Sequence, residues 1–141
     1  MKADPKVASE VASALDRMAN AYASRDLTAV MACFAQDEDA VLYGTGPDEK
    51  RVGPKEIRAQ VERDWAQSDQ VELVFESKSL FAAGAVAWAA LDGSFEIRAG
   101  GDAISIPARM TFILEKRGDT WSIVHAHFST PAASQDEGSS F

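Results

Sequence analysis

The sequence predicts an α+β fold in which three N-terminal helices pack inside a strongly curved, mostly antiparallel sheet. Apolar residues recur at helical spacing in the first half of the chain and at strand spacing in several long segments of the second half. Glycine-rich turns separate those segments. A curved sheet wrapped around helices forms a cone-shaped barrel with one open mouth. We expect residues 1–131 to be one domain of this kind and residues 132–141 to be a disordered tail.

The helices are predicted from their apolar stripes and from the residues that begin them. The first runs from Pro5 to Ser24, because proline suits the first turn of a helix. The second follows Asp26, whose carboxylate is a candidate N-cap. The third opens at Gly53 and Pro54 and ends near Gln67. A short strand over residues 40–43 is expected between the second and third helices.

The second half of the chain is predicted to be strand. Small turn residues interrupt it at Gly84, at Gly100-Gly101-Asp102 and at Gly118-Asp119. These turns leave four extended segments, at residues 71–82, 85–98, 103–116 and 121–129.

Composition excludes several functions. The 141 residues carry 14 basic and 22 acidic side chains, a formal net charge of −8, which repels nucleic acid and anionic lipid. No apolar run approaches the roughly 20 residues of a membrane span, and the N-terminus does not resemble a signal peptide, so we expect a cytoplasmic protein. The single cysteine, Cys33, allows no internal disulfide. Neither a metal ion nor a cofactor is expected.

The last predicted strand contains both histidines of the chain. Alternate residues of a strand point to opposite faces, so in W-S-I-V-H-A-H-F-S His125, His127 and Ser129 share a face with Trp121 and Ile123. An imidazole titrates near neutral pH and can accept or donate a proton, so two on one wall suggest a pocket. His127 and His125 are therefore the candidate catalytic residues. The alternative is that both are structural and hydrogen-bond to backbone carbonyl groups or water.

A family resemblance is carried by six segments of the chain, A-Y-A-S-R-D-L-T-A-V-M-A-C-F-A, V-L-Y-G-T-G-P-D, R-V-G-P-K-E-I-R, G-A-V-A-W-A, A-R-M-T-F-I-L-E-K and W-S-I-V-H-A-H-F-S-T-P. In their order and spacing the chain resembles the SnoaL-like branch of the nuclear transport factor 2-like superfamily. The similarity spans about residues 7–131, and its last segment is also similar to the association domain of calcium/calmodulin-dependent kinase. The resemblance implies a cone-shaped α+β barrel, commonly a dimer through the sheet, but no particular activity.

Ketosteroid isomerases of that superfamily use a tyrosine and two aspartates. The aligned positions here are Met18, Tyr43 and Arg109, so all three depart from the pattern and steroid isomerisation is not expected. The same alignment places the two histidines and Ser129 on the wall of the cone.

A ligand pocket in the cone follows from these placements. Its predicted ligand-binding residues are Arg109, Tyr43, Trp65, Trp88 and Ser129. A guanidinium inside an apolar cone needs a partner, and a ligand carboxylate would bind it through two hydrogen bonds. The alternative is a structural ion pair between Arg109 and Asp64 or Glu62. For Trp65 and Trp88, a place in the core or the pocket wall is expected rather than a chemical role.

Three classes of function remain open on the sequence. The first is an enzyme in which His127 or His125 acts as general base and Arg109 holds an anionic substrate. The second is a binding protein with the same pocket, and the third is a dimerisation module with a vestigial cavity. We favour a small-molecule pocket for an anionic or carboxylate-bearing ligand. We also expect a homodimer through an outer sheet face that exposes Met110, Phe112, Val124 and Phe128.

Overall fold

The computed structural model describes residues 1–141 and confirms the predicted α+β architecture. Three helices precede most of the sheet. A pair of three-residue strands lies between the second and third helices, and the sequence predicted only the first of the two. The elements are α1 (Pro5–Ala23), α2 (Leu27–Cys33), β1 (Val41–Tyr43), β2 (Lys50–Val52), α3 (Gly53–Ala66), β3 (Gln70–Ala83), β4 (Val86–Ala99), β5 (Asp102–Arg117) and β6 (Thr120–Ser129).

Side-chain caps fix where the first two helices begin. Asp4 accepts a hydrogen bond from the backbone N–H of Val7 at 3.0 Å, and Asp26 accepts one from that of Ala29 at 3.0 Å. Each carboxylate satisfies a backbone N–H group that has no partner within its helix. The predicted N-cap at Asp26 is confirmed. None of the three helices is both long enough and apolar enough to cross a membrane.

The six strands form one sheet in the order β2-β1-β6-β5-β4-β3. Strands β1 and β6 run parallel, and every other neighbouring pair is antiparallel. The inner face of the sheet packs against the helices and forms the core, whereas the outer face is exposed. Leu15 of α1, Ile57 of α3 and Phe112 of β5 are each fully buried where these layers meet.

Two irregularities bend the long strands. In β3, Glu76 is an extra residue between Phe75 and Ser77, which pair with Gly93 and Asp92 of β4. Only glycine fits at position 93, because a Cβ atom there would collide with the carbonyl oxygen of Val74. An extra residue on one strand increases its local twist and bend, which helps the sheet to close around the helices.

The second irregularity lies in β6, and the residues after it lie on faces opposite to those expected from the residues before it. Ile123 pairs with Leu114 and His125 pairs with Ile113, so Val124 is an unpaired extra residue. Before it, Trp121 and Ile123 point inward and are buried; after it, the inward residues are Ala126 and Phe128. The prediction that Trp121 and Ile123 share a face with His125, His127 and Ser129 is therefore wrong. A bulge shifts the two-residue alternation by one position, and strict alternation along the sequence does not reveal it.

The apolar residues predicted for the outer face are also misplaced. Met110, Phe112 and Phe128 are 2%, 0% and 9% exposed and belong to the core on the inner face. The outer face instead carries the residues that alternate with these buried ones along β4 and β5, among them Trp88 and Ile113. Both histidines of β6 lie on the same outer face.

Candidate functional site

A cavity of about 240 Å³ lies between the helices and the inner face of the sheet. Its walls are mainly apolar, as expected where a curved sheet does not close completely over its helices. Side chains from all three helices or their flanks and from β1, β3, β4, β5 and β6 contribute to these walls. The apolar lining residues are Met18, Tyr22, Val30, Phe34, Leu42, Val61, Val71, Leu73, Phe95, Ile97, Ile106 and Phe128.

One end of the cavity is polar, and its central pair is Tyr22 of α1 and Asp64 of α3. The Tyr22 hydroxyl donates a hydrogen bond to Oδ2 of Asp64 at 2.8 Å. The Gln60 amide nitrogen, one helical turn earlier in α3, donates to Oδ1 of Asp64 at 2.7 Å. Each carboxylate oxygen thus accepts one hydrogen bond from a neutral donor. No Lys, Arg or His side chain forms a salt bridge with Asp64.

The orientation of the Gln60 amide is set by a residue outside the cavity wall. Nε of Arg51 in β2 donates to Oε1 of Gln60 at 2.9 Å. An arginine can only donate, so the amide oxygen must face Arg51 and the NH₂ group must face Asp64. The second hydrogen of that NH₂ group is directed at Oε1 of Glu49, at 3.2 Å. Gln60 is 4% exposed and uses its amide oxygen and both its amide hydrogens.

Glu49 connects this cluster to the turn between β1 and β2. Its Oε2 accepts a hydrogen bond from the backbone N–H of Gly46 at 2.8 Å, and Arg63 of α3 approaches Oε1 at 3.5 Å. Gly44 and Thr45 of the same turn line the cavity. The turn is therefore held against α3 and forms one lip of the cavity mouth.

The environment changes the acidity of both central groups. Burial raises the pKa of Asp64, and the hydrogen bonds from Tyr22 and Gln60 only partly oppose that effect. Burial and the neighbouring Asp64 carboxylate raise the pKa of the Tyr22 hydroxyl far above its ordinary value. Tyr22 is thus a neutral phenol at all ordinary pH values, and Asp64 is a better proton acceptor than an exposed aspartate.

Three predicted site residues lie outside the cone. Arg109, His127 and Ser129 line a shallow depression on the outer face of the sheet, and none of them lines the cavity. The only hydrogen bond of the Arg109 side chain is to the carbonyl oxygen of Thr130, at 3.4 Å. The prediction that these residues form the cone wall is wrong. The bulge at Val124 turns His127 and Ser129 outward, and Arg109 lies between Ala108 and Met110, which are buried on the inner face of β5. That Arg109, His127 and Ser129 bind a ligand stays a prediction.

His125, Tyr43 and Trp88 are outer-face residues as well. The ring centroid of Tyr43 lies 6.3 Å from that of His125 and 5.2 Å from that of His127. Trp88 of β4 stacks on Phe81 of β3, with ring centroids 5.6 Å apart. The prediction that these three residues line the cone is therefore wrong, because they lie on the outer face of the sheet.

Trp65 comes nearest to its predicted place but does not line the cavity. Its ring lies 6.0 Å from that of Tyr22, and its indole N–H donates to the Tyr22 carbonyl oxygen at 3.1 Å. The alternative ion pair of Arg109 with an acid of α3 is also wrong. Asp64 is bonded to Tyr22 and Gln60, and Glu62 pairs with Arg58.

The polar residues of the cavity were missed, although α3 contains a signal for two of them. Ile57, Gln60, Val61 and Asp64 follow the spacing of a buried helical face, so two polar side chains occupy positions normally filled by apolar ones. Tyr22 gives no such signal, because it lies on the apolar stripe of α1 together with Leu15 and Met18. No group of three or more His, Cys, Asp or Glu side chains comes together as a metal site would require.

Comparisons with solved structures agree with this fold. A nuclear transport factor 2-like superfamily protein from Salmonella enterica is 19% identical over 97% of this chain and 99% of its own, with a TM-score of 0.84. A Nostoc punctiforme protein of unknown function with a cystatin-like fold is 14% identical over 94% and 97%, with a TM-score of 0.77. These two likenesses establish the fold alone.

A third similar structure comes from Xanthomonas campestris and is provisionally assigned as a calcium/calmodulin-dependent protein kinase II association domain. It is 25% identical over 88% of this chain and 87% of its own, with a TM-score of 0.78. No curated protein sequence is significantly similar to the chain. The SnoaL-like domain family, however, matches residues 11–133, nearly the whole folded region. The chain therefore belongs to the SnoaL-like domain family.

Proposed function

We propose that the protein binds a small, mostly apolar molecule inside the cone, with the polar end of that molecule at Tyr22 and Asp64. The observation that carries this proposal is the cavity itself, which has apolar walls and a single polar end. Binding sites for small molecules commonly combine such walls with a few polar groups that fix the orientation of the ligand. If the protein also turns its ligand over, Asp64 is the group suited to accept a proton.

The charge of the cavity argues against the anionic ligand that the sequence predicts. Arg109, the reason for expecting an anion, lies on the outer face. The charged side chains that line the cavity are Asp64 and Glu49, both acidic. A carboxylate placed beside them would be repelled and would have no cationic partner. A carboxylate-bearing ligand therefore has a basis only outside the cone, at Arg109, and we do not propose one inside it.

Filling the cavity tests the proposal. 2-Naphthalenemethanol is an uncharged probe with an apolar body and one hydroxyl group, and its binding can be measured by calorimetry. Ile106→Trp places a large ring at the cavity wall and should weaken binding by about tenfold or more. Ser105→Trp, one residue earlier on the outer face of the same strand, is the matched control and should leave binding unchanged. Equal affinity in the wild type and Ile106→Trp would contradict binding in the cone.

We propose as a second function that the outer face joins two copies of this chain. The outer aromatic patch consists of Tyr43, Phe81, Trp88, His125 and His127, and its rings are only partly covered. Ile113 lies between Trp88 and His125 across neighbouring strands. A partly exposed aromatic surface with few charges is typical of the centre of a protein interface. The likeness to a provisional association domain supports a second copy of the chain as the occupant.

Sedimentation at micromolar concentration tests this second proposal. The wild type should be a dimer, and Trp88→Lys should convert it to a monomer because it adds a charge within the outer aromatic patch. Ile104→Lys is the control: Ile104 is also exposed but lies near the far end of β5, and this variant should remain dimeric. A monomeric wild type would exclude the interface.

A further inference from the structure

We propose that the ligand of the cone is an amine whose protonated nitrogen binds at Asp64 and Tyr22. This inference rests on the proposed function, because it assumes that the cone holds a small molecule. It adds the chemical class of the polar end, namely a cationic hydrogen-bond donor attached to an apolar body.

The first step is a count of the hydrogens that remain free at the polar end of the cavity. The Tyr22 hydroxyl hydrogen is used on Asp64, and both amide hydrogens of Gln60 are used on Asp64 and Glu49. The Ser68 hydroxyl donates to the backbone carbonyl oxygen of Asp64 at 2.9 Å, and its oxygen accepts from Nη2 of Arg25 at 3.3 Å. Unused capacity at these groups consists of lone pairs on the Asp64 carboxylate and on the Tyr22 oxygen. A ligand group placed there must donate hydrogen bonds.

This count separates the possible ligand classes. A carboxylate, a ketone or an ester would direct lone pairs at lone pairs, which leaves polar atoms without partners and costs binding energy. A hydroxyl group can donate one hydrogen bond. A protonated primary amine can donate three, which suits the two carboxylate oxygens of Asp64 and the oxygen of Tyr22. Thr45 and Gln67, the remaining uncharged polar side chains along the cavity, are exposed at its rim.

The second step concerns charge. Asp64 is largely removed from water, yet both of its hydrogen-bond donors are neutral and no basic side chain forms a salt bridge with it. A buried carboxylate without a cation is unfavourable, and a cationic ligand would supply the missing partner. Glu49 adds a second carboxylate on the other side of the Gln60 amide, only partly offset by Arg63 at 3.5 Å. Arg51 and Arg25 contact the neighbouring Gln60 and Ser68, but neither bonds to Asp64, so this carboxylate still favours a cationic group beside it.

Three probes with one naphthalene skeleton test the inference. They are 2-naphthylmethylamine, which is protonated at pH 7, 2-naphthalenemethanol and 2-naphthoate. In calorimetry at physiological ionic strength, the wild type should bind the amine about tenfold or more tightly than the alcohol, and the carboxylate should not bind measurably. This comparison needs no variant, so it remains decisive even if a substitution at the site impairs folding.

Two variants locate the origin of the preference. Asp64→Asn should bind the amine and the alcohol with affinities within about threefold of each other, because it removes the charge and keeps the shape. Asp92→Asn removes a carboxylate from the outer face and should keep the full preference, which controls for the net charge of −8.

The failures of the two proposals can be told apart. If the alcohol binds inside the cone as tightly as the amine, or if Asp64→Asn keeps the amine preference, the amine assignment is wrong while the cone remains a binding site. If the carboxylate binds best in the cone, the amine assignment is wrong in the same way. If none of the three probes binds, the proposed function and the inference that rests on it both fail.

Discussion

Ile123 and His125 lie two residues apart on β6 but point to opposite faces of the sheet. Ile123 pairs with Leu114 and His125 pairs with the adjacent Ile113, so Val124 between them has no partner on β5. Ile123 is 1% exposed in the core, whereas His125 lies on the outer face beside Tyr43. This one extra residue decides that both histidines face away from the cavity.

Deleting Val124 should therefore be tolerated. The deletion restores regular pairing of β6 with β5 and leaves Ile123, Ala126 and Phe128 on the inner face, so we expect a loss of about 1 kcal/mol in the free energy of unfolding. Deletion of Ala126 is the matched control, because it moves His127 into the core and Phe128 out of it and should cost more than about 4 kcal/mol. Urea unfolding of the two variants measures both values. Equal losses would contradict the assignment of Val124 as the bulged residue.

The stability of the protein should depend on pH through His125. Burial and the nearby His127 lower the pKa of His125 in the folded protein, whereas in the unfolded chain it keeps the ordinary value of about 6.5. The unfolded chain thus binds the proton first as the pH falls. The contribution of neutral His125 is complete above about pH 6.5 and is lost as the pH falls through the lowered pKa.

His125→Gln should reduce that loss. Urea unfolding of the wild type and the variant at pH 7.5 and pH 5.5 gives the measurement, and the fall in unfolding free energy between the two pH values should be smaller in the variant. A fall of the same size in both proteins would show that His125 does not contribute to it.

Asp64 should have the opposite pH dependence. Its pKa is raised in the folded protein by burial, so the folded state holds the proton at pH values where the unfolded chain has already released it. The stability that protonated Asp64 provides is complete below the ordinary pKa of about 4 and is lost as the pH rises through the raised value. Asparagine cannot ionise. The difference in unfolding free energy between Asp64→Asn and the wild type should therefore shift in favour of the variant from pH 3.5 to pH 7.

The exposed carboxylate of Asp92 provides the comparison for that experiment. Asp92→Asn, measured at the same two pH values, should show a smaller shift toward the variant than Asp64→Asn. If both substitutions shift equally, burial of Asp64 is not the cause.

Removing residues 132–141 should leave the fold intact. Every residue of this segment is exposed, and its side-chain hydrogen bonds, such as that of Gln135 to the Ser139 carbonyl oxygen, stay within the segment. Truncation after Pro131 should change the melting temperature by less than about 2 °C. A larger decrease would mean that the tail packs against the domain.

Local signals in the sequence were sufficient to predict every helix and strand except β2, but not which residues face the core. Asp26 caps α2 as predicted, and the third helix begins at Gly53 as predicted, because both depend on residues within one turn of the helix. The face of His125 depends on how β6 pairs with β5, and the sequence of β6 alone does not contain that information. The placement of Arg109 and Ser129 inside the cone is wrong as well, because the prediction put both on the same face as the histidines.

The polar end of the cavity could be predicted only in part. Gln60 and Asp64 occupy buried positions of α3, which is visible in the spacing, but their partner Tyr22 is 42 residues away from Asp64. That contact exists only after α1 and α3 have packed together inside the sheet. The direction of the Gln60 amide depends on a further contact between two elements, because its partner Arg51 lies in β2.

Arg51 supports the polar end of the cavity from outside the cavity wall. It is not among the residues that line the cavity, yet it forces the Gln60 amide to turn its hydrogens toward Asp64. Without a donor at position 51, Asp64 and Glu49 would still hold both amide hydrogens, so the buried amide oxygen of Gln60 would lose its partner. A change at position 51 alone would therefore weaken the support of Asp64, while every residue of the cavity wall stays the same.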